Sequence, residues 1–228
     1  MQTVTEVGMN HSGMLVAEDG GEKMLENIEL TKPNGGDERD LAKIRLQYAK
    51  ESDPFGTLPE PKQAGMAAVL MDKLGERLAF ERAGTRLYDA LMVKCAADGS
   101  AGIPAKDLKH IRDEEATHFA LIGAAIQSLG GDPTAQTPSA DVAGVEGMGL
   151  MQVLNDPKTT VVQALHAILV AEMTDNAAWE ELIELVTEAG NDELVERFTE
   201  ARDAEQEHLE KVQGWYKAAT LAAAGESQ

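Results

Sequence analysis

The sequence predicts an all-α protein: four long helices forming two antiparallel hairpins, preceded by an irregular N-terminal arm. Three observations carry this. Apolar residues recur at steps of three, four and seven along four long segments after Pro61. Breaks containing glycine or proline separate those segments. Aromatic residues make up only 4% of the chain, and no valine-rich alternating run is present to build a sheet.

The arm comes first. Residues 1–36 are weakly patterned and end in TKPNGGD, a strong break. Residues 37–51, DERDLAKIRLQYAKE, have the spacing of a short amphipathic helix through Leu41, Ile44 and Tyr48. DPFGTLPEP, 53–61, carries three prolines and is expected to be an extended connector. Residues 1–61 therefore read as an arm packing on the main domain or on a neighbouring subunit, and residues 62–228 as the bundle domain.

The first long helix is expected from about Lys62 to Ala97, with Leu70, Leu74, Leu78, Leu87 and Leu91 at helical spacing. Gly99 and Gly102 stop it, and Pro104 begins the second, which runs to about Leu129 before Gly130-Gly131. The third is expected from near Pro157 to Ala189, ending at Gly190. Asn191 is a natural N-cap for the fourth, which continues to about Leu221. Short turns join the first to the second and the third to the fourth, so each pair forms an antiparallel hairpin. Between the hairpins lies DPTAQTPSADVAGVEGMGLMQVLND (132–156), long enough to run the length of the bundle as a crossover.

Composition narrows the function. Forty acidic against twenty basic residues give a formal net charge of −20, which argues against nucleic-acid binding. Such a surface attracts small cations but more generally serves solubility. The single cysteine, Cys95, excludes an intrachain disulfide, suits a reducing compartment and is expected to be buried near a helix end. The N-terminus lacks a basic start and an uninterrupted apolar run, so no secretory leader or membrane span is expected and the protein reads as cytoplasmic.

One pattern is written twice. RDEEATHF occupies 112–119 and RDAEQEHL occupies 202–209, pairing Arg112 with Arg202, Asp113 with Asp203, Glu115 with Glu205 and His118 with His208. Glutamate and histidine three residues apart share one helix face. The repeat extends upstream: Glu81 precedes Glu115 by 34 residues, and Glu172 precedes Glu205 by 33. An aromatic follows each upstream glutamate by seven residues (Tyr88, Trp179), and a leucine follows three later (Leu91, Leu182). Each hairpin thus carries Glu on its first helix and Glu-x-x-His on its second, as copies related by a pseudo-two-fold axis.

These acids lie in the apolar stripes. Leu70, Leu74, Glu81, Tyr88 and Cys95 align in the first helix, and Ile111, Glu115, His118, Ile122 and Leu129 in the second. Leu165, Glu172, Trp179 and Val186 align in the third, and Leu194, Phe198, Ala201, Glu205, His208, Val212 and Trp215 in the fourth. Four carboxylates buried together repel one another, and each is desolvated at a cost of several kcal/mol. Such a cluster requires cations. Two divalent metals balance four ionised glutamates, and oxygen ligands with one imidazole per metal suit iron, manganese or zinc.

Glu on two helices, Glu-x-x-His on the other two and a long crossover resemble the ferritin-like di-iron carboxylate family, of the bacterioferritin and rubrerythrin kind, over residues 62–221. The resemblance implies a ferritin-like four-helix bundle holding two iron ions per chain, with manganese or a mixed pair as variants. It implies Glu81 and His118 as terminal ligands of one metal, Glu172 and His208 of the other, and Glu115 and Glu205 as bridges, the four glutamates forming the catalytic set. Glu114 matches an acid that orients the opposite half's histidine in the family, but Ala204 stands at the equivalent position, which points to two unequal metal sites. Tyr88 is a candidate hydrogen-bond donor, and Asp175 resembles an extra carboxylate found in rubrerythrins. Arg112 and Arg202 read as ion-pairing residues, Asp113 and Asp203 as surface, and His11, His110 and His166 fall outside the ligand register.

The implied function is a di-iron oxidoreductase acting on Fe(II), dioxygen or peroxide, as a ferroxidase or peroxidase. One cysteine cannot build the four-cysteine iron site of rubrerythrins, so the peroxidase reading requires a partner reductase. Iron storage, a di-metal oxygenase with an organic pocket near Ala83, Gly84 and Ala178, and a bundle holding metal for stability are the alternatives. The 61-residue arm favours a homodimer over a hollow cage.

Overall fold

The computed structural model describes residues 7–9, 15–17, 65–99 and 102–225. The chain divides into two units, residues 1–57 and 58–228. In the first, β1 (Val7–Met9) and β2 (Leu15–Ala17) pair antiparallel with Val7 opposite Ala17, a short hairpin within a segment read as weakly patterned. The helix expected at 37–51 and the connector at 53–61 lie outside the described residues.

The second unit is all helical among its described residues. It contains α1 (Met66–Asp98), α2 (Ala105–Ser128), α3 (Pro138–Asn155), α4 (Val161–Glu188) and α5 (Asp192–Gly225). Gly99 closes α1 in the left-handed region at φ 69°, where its N–H bonds the Cys95 carbonyl at 3.1 Å. Thr160 and Gln163 form a reciprocal capping box at the start of α4. Asn191 Oδ1 accepts from Leu194 N at 3.1 Å, capping α5 as its side chain predicts.

The crossover departs from expectation. Its middle, 138–155, is the helix α3, begun by the Thr137 cap with Pro138 in the first turn. Gly144, Gly147 and Gly149 weaken its propensity and obscure it in the sequence. Packing offsets this weakness, because α3 lies along α1 with Gly147 beside Ala83. Asp72 fastens the start of α3 by accepting from Ser139 N at 2.9 Å and Ser139 Oγ at 2.7 Å. At the other end Lys94 Nζ donates to the Asp156 and Thr159 carbonyls and to Thr159 Oγ1, each at 2.9 Å.

α1 packs against α2, α3 and α4, and α4 against α5. The apolar core falls into two clusters. One gathers Leu87, Leu91, Leu108, Ile111, Leu165, Ile168 and Val212; the other gathers Leu70, Leu74, Ile122, Trp179, Leu182, Val186 and Phe198. Each large buried side chain contributes about 1.5–3 kcal/mol of transfer free energy. Along α1, α2, α4 and α5 the residues between these clusters are the polar ones: Glu81, Glu115, His118, Glu172, Glu205 and His208. Some expected core members differ, Trp215 being only half-buried. Leu129 sits at the end of α2 and is exposed, and Cys95, near the end of α1, is only half-buried, its thiol pushed up to about 11 by burial.

Candidate metal centre

All six residues singled out by the repeat reach the interior. Glu81, Glu205 and His208 have no exposed surface, Glu115 and Glu172 retain 2%, and His118 retains 6%. Two groups form. One oxygen or nitrogen from each of Glu115, Glu172, Glu205 and His208 lies within 4.8 Å of every other, and the same holds for Glu81, His118 and Glu205. Glu205 belongs to both groups, as a bridging carboxylate must. Glu115 belongs to one only, with Glu172 and His208.

Both imidazoles turn Nδ1 inward. His118 Nδ1 lies 2.5 Å from Glu205 Oε1 and 3.9 Å from Glu81 Oε2. His208 Nδ1 lies 2.9 Å from Glu205 Oε2 and 3.6 Å from Glu115 Oε1. Beyond this shared geometry the two halves differ. His208 Nε2 is 2.9 Å from Glu114 Oε2, which also lies 3.4 Å from the exposed His110 Nε2. The equivalent of Glu114 in the other half is Ala204, and His118 instead meets Trp179 edge-on, ring centres 5.6 Å apart. Tyr88 Oη donates to Glu172 Oε1 across the hairpins. The equivalent Trp179 Nε1 is buried with no hydrogen-bond acceptor.

Burial dominates the electrostatics. Desolvation, reinforced by neighbouring acids, lifts Glu81, Glu172 and Glu205 well above the usual carboxylate range, and Glu115 less so because His208 opposes it. Burial pushes His118 down to about 4. Burial also works against a charged His208, but Glu115, Glu172 and Glu114 outweigh it and raise His208 to about 9. The unequal surroundings of the two histidines thus produce opposite shifts.

The residues fit a metal pair. Glu81 Oε2 and Glu172 Oε2 are buried without a hydrogen bond, Glu81 Oε1 meets only Arg77, and Glu205 Oε1 and His118 Nδ1 face each other. An unsatisfied buried polar atom costs about 1–3 kcal/mol, more when charged, and here the lone pairs of three acids and an imidazole converge. Cations are the partners that such a set of acceptors lacks. The donor set, oxygen-rich with one imidazole on each side, is that of hard to borderline divalent ions.

Two residues of the site escaped the sequence reading. Arg77, 2% exposed, places Nε 3.1 Å from Glu81 Oε1 and Nη1 2.6 Å from Asp175 Oδ1. Its signal was present: Arg77 follows Leu74 by three and precedes Glu81 by four, inside the apolar stripe. Asn176 donates from Nδ2 to the Glu172 and Glu205 carbonyls, both at 3.0 Å, and so ties α4 to α5 beside two of the acids. Two of the three small residues expected to border an organic pocket face occupied space. Glu115 Oε2 occupies the space where a Cβ on Gly84 would stand, and α3 covers Ala83. A surface groove of about 920 Å³, lined by Arg86, Val93, Lys94, Met151 and Pro157 among others, includes none of the six residues. Arg112 pairs with Asp89 at 3.0 Å and Arg202 with Asp203, at the surface as expected.

Helix hairpins joined by a long crossover around buried, duplicated Glu and Glu-x-x-His residues define a carboxylate-lined bundle that could hold metal. Family comparison agrees: residues 71–221 match the ferritin-like domain, and the chain belongs to that family. Curated proteins and solved structures give no match. Among the described residues no helix is long and apolar enough to cross a membrane.

Proposed function

We propose that the bundle holds two divalent metal ions, iron in the cell, and that it is an oxidoreductase acting on Fe(II), dioxygen or peroxide. The observation that carries this reading is the polar layer itself: four carboxylates and two imidazoles, nearly or wholly buried, set between two apolar clusters with orphaned lone pairs facing one another. Glu81 with His118 and Glu172 with His208 would be the terminal ligands, and Glu205 and Glu115 the carboxylates between. An iron pair held there would supply two electrons to dioxygen or peroxide.

The protein's own contribution is positioning. Tyr88 fixes the orientation of Glu172, and Glu114 that of His208, favouring the tautomer that leaves Nδ1 free to ligate. Apolar residues above and below the layer exclude bulk water and strengthen every charge interaction within it. The same enclosure favours ions and small oxidants over an organic substrate, because the space beside Gly84 is taken by Glu115. Peroxide reduction would draw its electrons from a partner reductase.

The test is the number of Fe(II) ions oxidised per chain in air with iron in large excess. Oxidation that halts near the two ions a dinuclear site holds supports the enzyme reading. Oxidation far beyond that supports storage, and none at all removes the ferroxidase reading.

A further inference from the structure

The buried pair Arg77–Asp175 is not required by the repeat. The hairpins superpose in sequence with Glu81 on Glu172, which places Ile168 at the equivalent of Arg77 and Gly84 at the equivalent of Asp175. Ile168 is wholly buried, so the bundle packs this register without a cation. Arg77 is nonetheless anchored on several sides. Its Nη1 lies 2.6 Å from Asp175 Oδ1 and 3.3 Å from the Asp175 carbonyl, its Nε 3.1 Å from Glu81 Oε1, and its guanidinium carbon 4.2 Å from the Phe80 ring centre. Asp175 is 2% exposed, lies one turn after Glu172, and Arg77 is the cation it pairs with among the described residues. It is therefore a fifth carboxylate in the same layer, close enough to act electrostatically on Glu81, Glu115, Glu172 and Glu205.

Charge accounting gives the pair a purpose. Four glutamates and Asp175 carry −5 when ionised, Arg77 returns +1, and two divalent ions add +4, so the loaded centre is neutral with both histidines uncharged. Without Arg77 the same centre holds a net negative charge and a free acid beside its ligands. Resting on the metal reading above, we propose that Arg77 is a positioning residue of the centre: it holds Asp175 out of the ligand set and fixes Glu81, so that the site takes two divalent ions at zero net charge. Arg77 thereby competes with metal for Glu81 and sets the affinity of the Glu81–His118 side.

The test uses Co(II) alone as the probe, with calorimetric titration for affinity and visible absorption for coordination. Arg77→Gln should raise the affinity of the weaker site about tenfold or more, and lower the intensity of the Co(II) bands as Asp175 joins the ligands. Asp175→Asn should bind two ions with the wild-type spectrum, since Asp175 ligates neither. The double variant should return to the unperturbed spectrum. A changed spectrum in Asp175→Asn, or unchanged affinity in a folded Arg77→Gln, overturns the proposal. Should Arg77→Gln not fold, the spectrum of Asp175→Asn still decides. Wild-type protein that binds no Co(II) refutes the metal reading itself, a failure distinct from two ions bound with variants that behave otherwise than stated.

Discussion

Two glycines on α1, nine residues apart, separate fold from site in one experiment. A methyl group at position 84 would stand 1.9 Å from Glu115 Oε2 and 2.9 Å from its carboxyl carbon. The obstacle is the far end of a flexible side chain, so the helix survives and the carboxylate moves. Overpacking costs about 1–3 kcal/mol, and replacing a helical glycine by alanine returns about 0.5–1 kcal/mol, leaving a modest net loss of about 1 kcal/mol. Metal binding bears the larger effect, because Glu115 is forced out of the group it forms with Glu172, Glu205 and His208. At position 75 a methyl would stand 2.4 Å from Thr137 Oγ1, 2.7 Å from Cγ2 and 3.1 Å from Cβ. Thr137 is short, branched and committed to capping α3, so it cannot swing aside. Overpacking and a lost cap together cost about 2–4 kcal/mol. Urea denaturation of the metal-free proteins and Zn(II) titration should therefore cross over. Gly84→Ala folds nearly normally and loses at least one ion, whereas Gly75→Ala is clearly destabilised yet binds both. Two Zn(II) ions bound by Gly84→Ala with wild-type affinity would refute the placement of Glu115 in the centre.

Three further outcomes follow from the same layer. Tyr88→Phe removes the donor to Glu172 and should lower stability by about 1–2 kcal/mol while both ions still bind; calorimetric titration showing loss of an ion would assign Tyr88 a larger role. Glu115→Ala should lose metal, whereas Glu114→Ala should keep two ions with altered oxidation rates; equal loss from both, or none from Glu115→Ala, would overturn these roles. The metal-free protein should lose stability from pH 6.5 to 9. There His208, charged up to about 9 in the fold but only up to about 6.5 when unfolded, alone surrenders about 3 kcal/mol, and the raised carboxylates act in the same direction as they ionise. His118, held near 4, has its effect below 6.5 and does not offset this loss. A urea midpoint of chelator-treated protein that rises across this window would refute the argument.

The buried polar layer was legible because it breaks a pattern. Glutamates at 81, 115, 172 and 205 stand where the helical stripe calls for leucine, and the repeat supplies their partners. Helix ends were legible for the same local reason, since Asn191, Gly99 and Gly190 announce them. α3 was not, because three glycines dilute its propensity and its stability comes from contact with α1 across about sixty residues of chain. Arg77 was overlooked although it lies in the stripe, because no repeat partner drew attention to it. The family resemblance implies equal bridging roles for Glu115 and Glu205, and the two differ in their surroundings: Glu205 falls in both groups and Glu115 in one.

That last difference has a physical origin in how the two copies diverged. The residues that would hold metal are the same in both hairpins, while their immediate neighbours are not. Gly84 opens a space into which Glu115 leans toward α1, whereas its counterpart Asp175 fills the equivalent register and calls for Arg77. Tyr88 reaches Glu172, whereas its counterpart Trp179 turns its edge to His118 and leaves Glu81 to Arg77. Glu114 holds His208, whereas Ala204 gives His118 nothing. These differences leave Arg77 beside Glu81, and a tyrosine donor and an extra acid beside Glu172 and His208. Two ions in one neutral layer would therefore occupy unequal positions, the one beside Glu172 and His208 held by more carboxylate and the one beside Arg77 held by less.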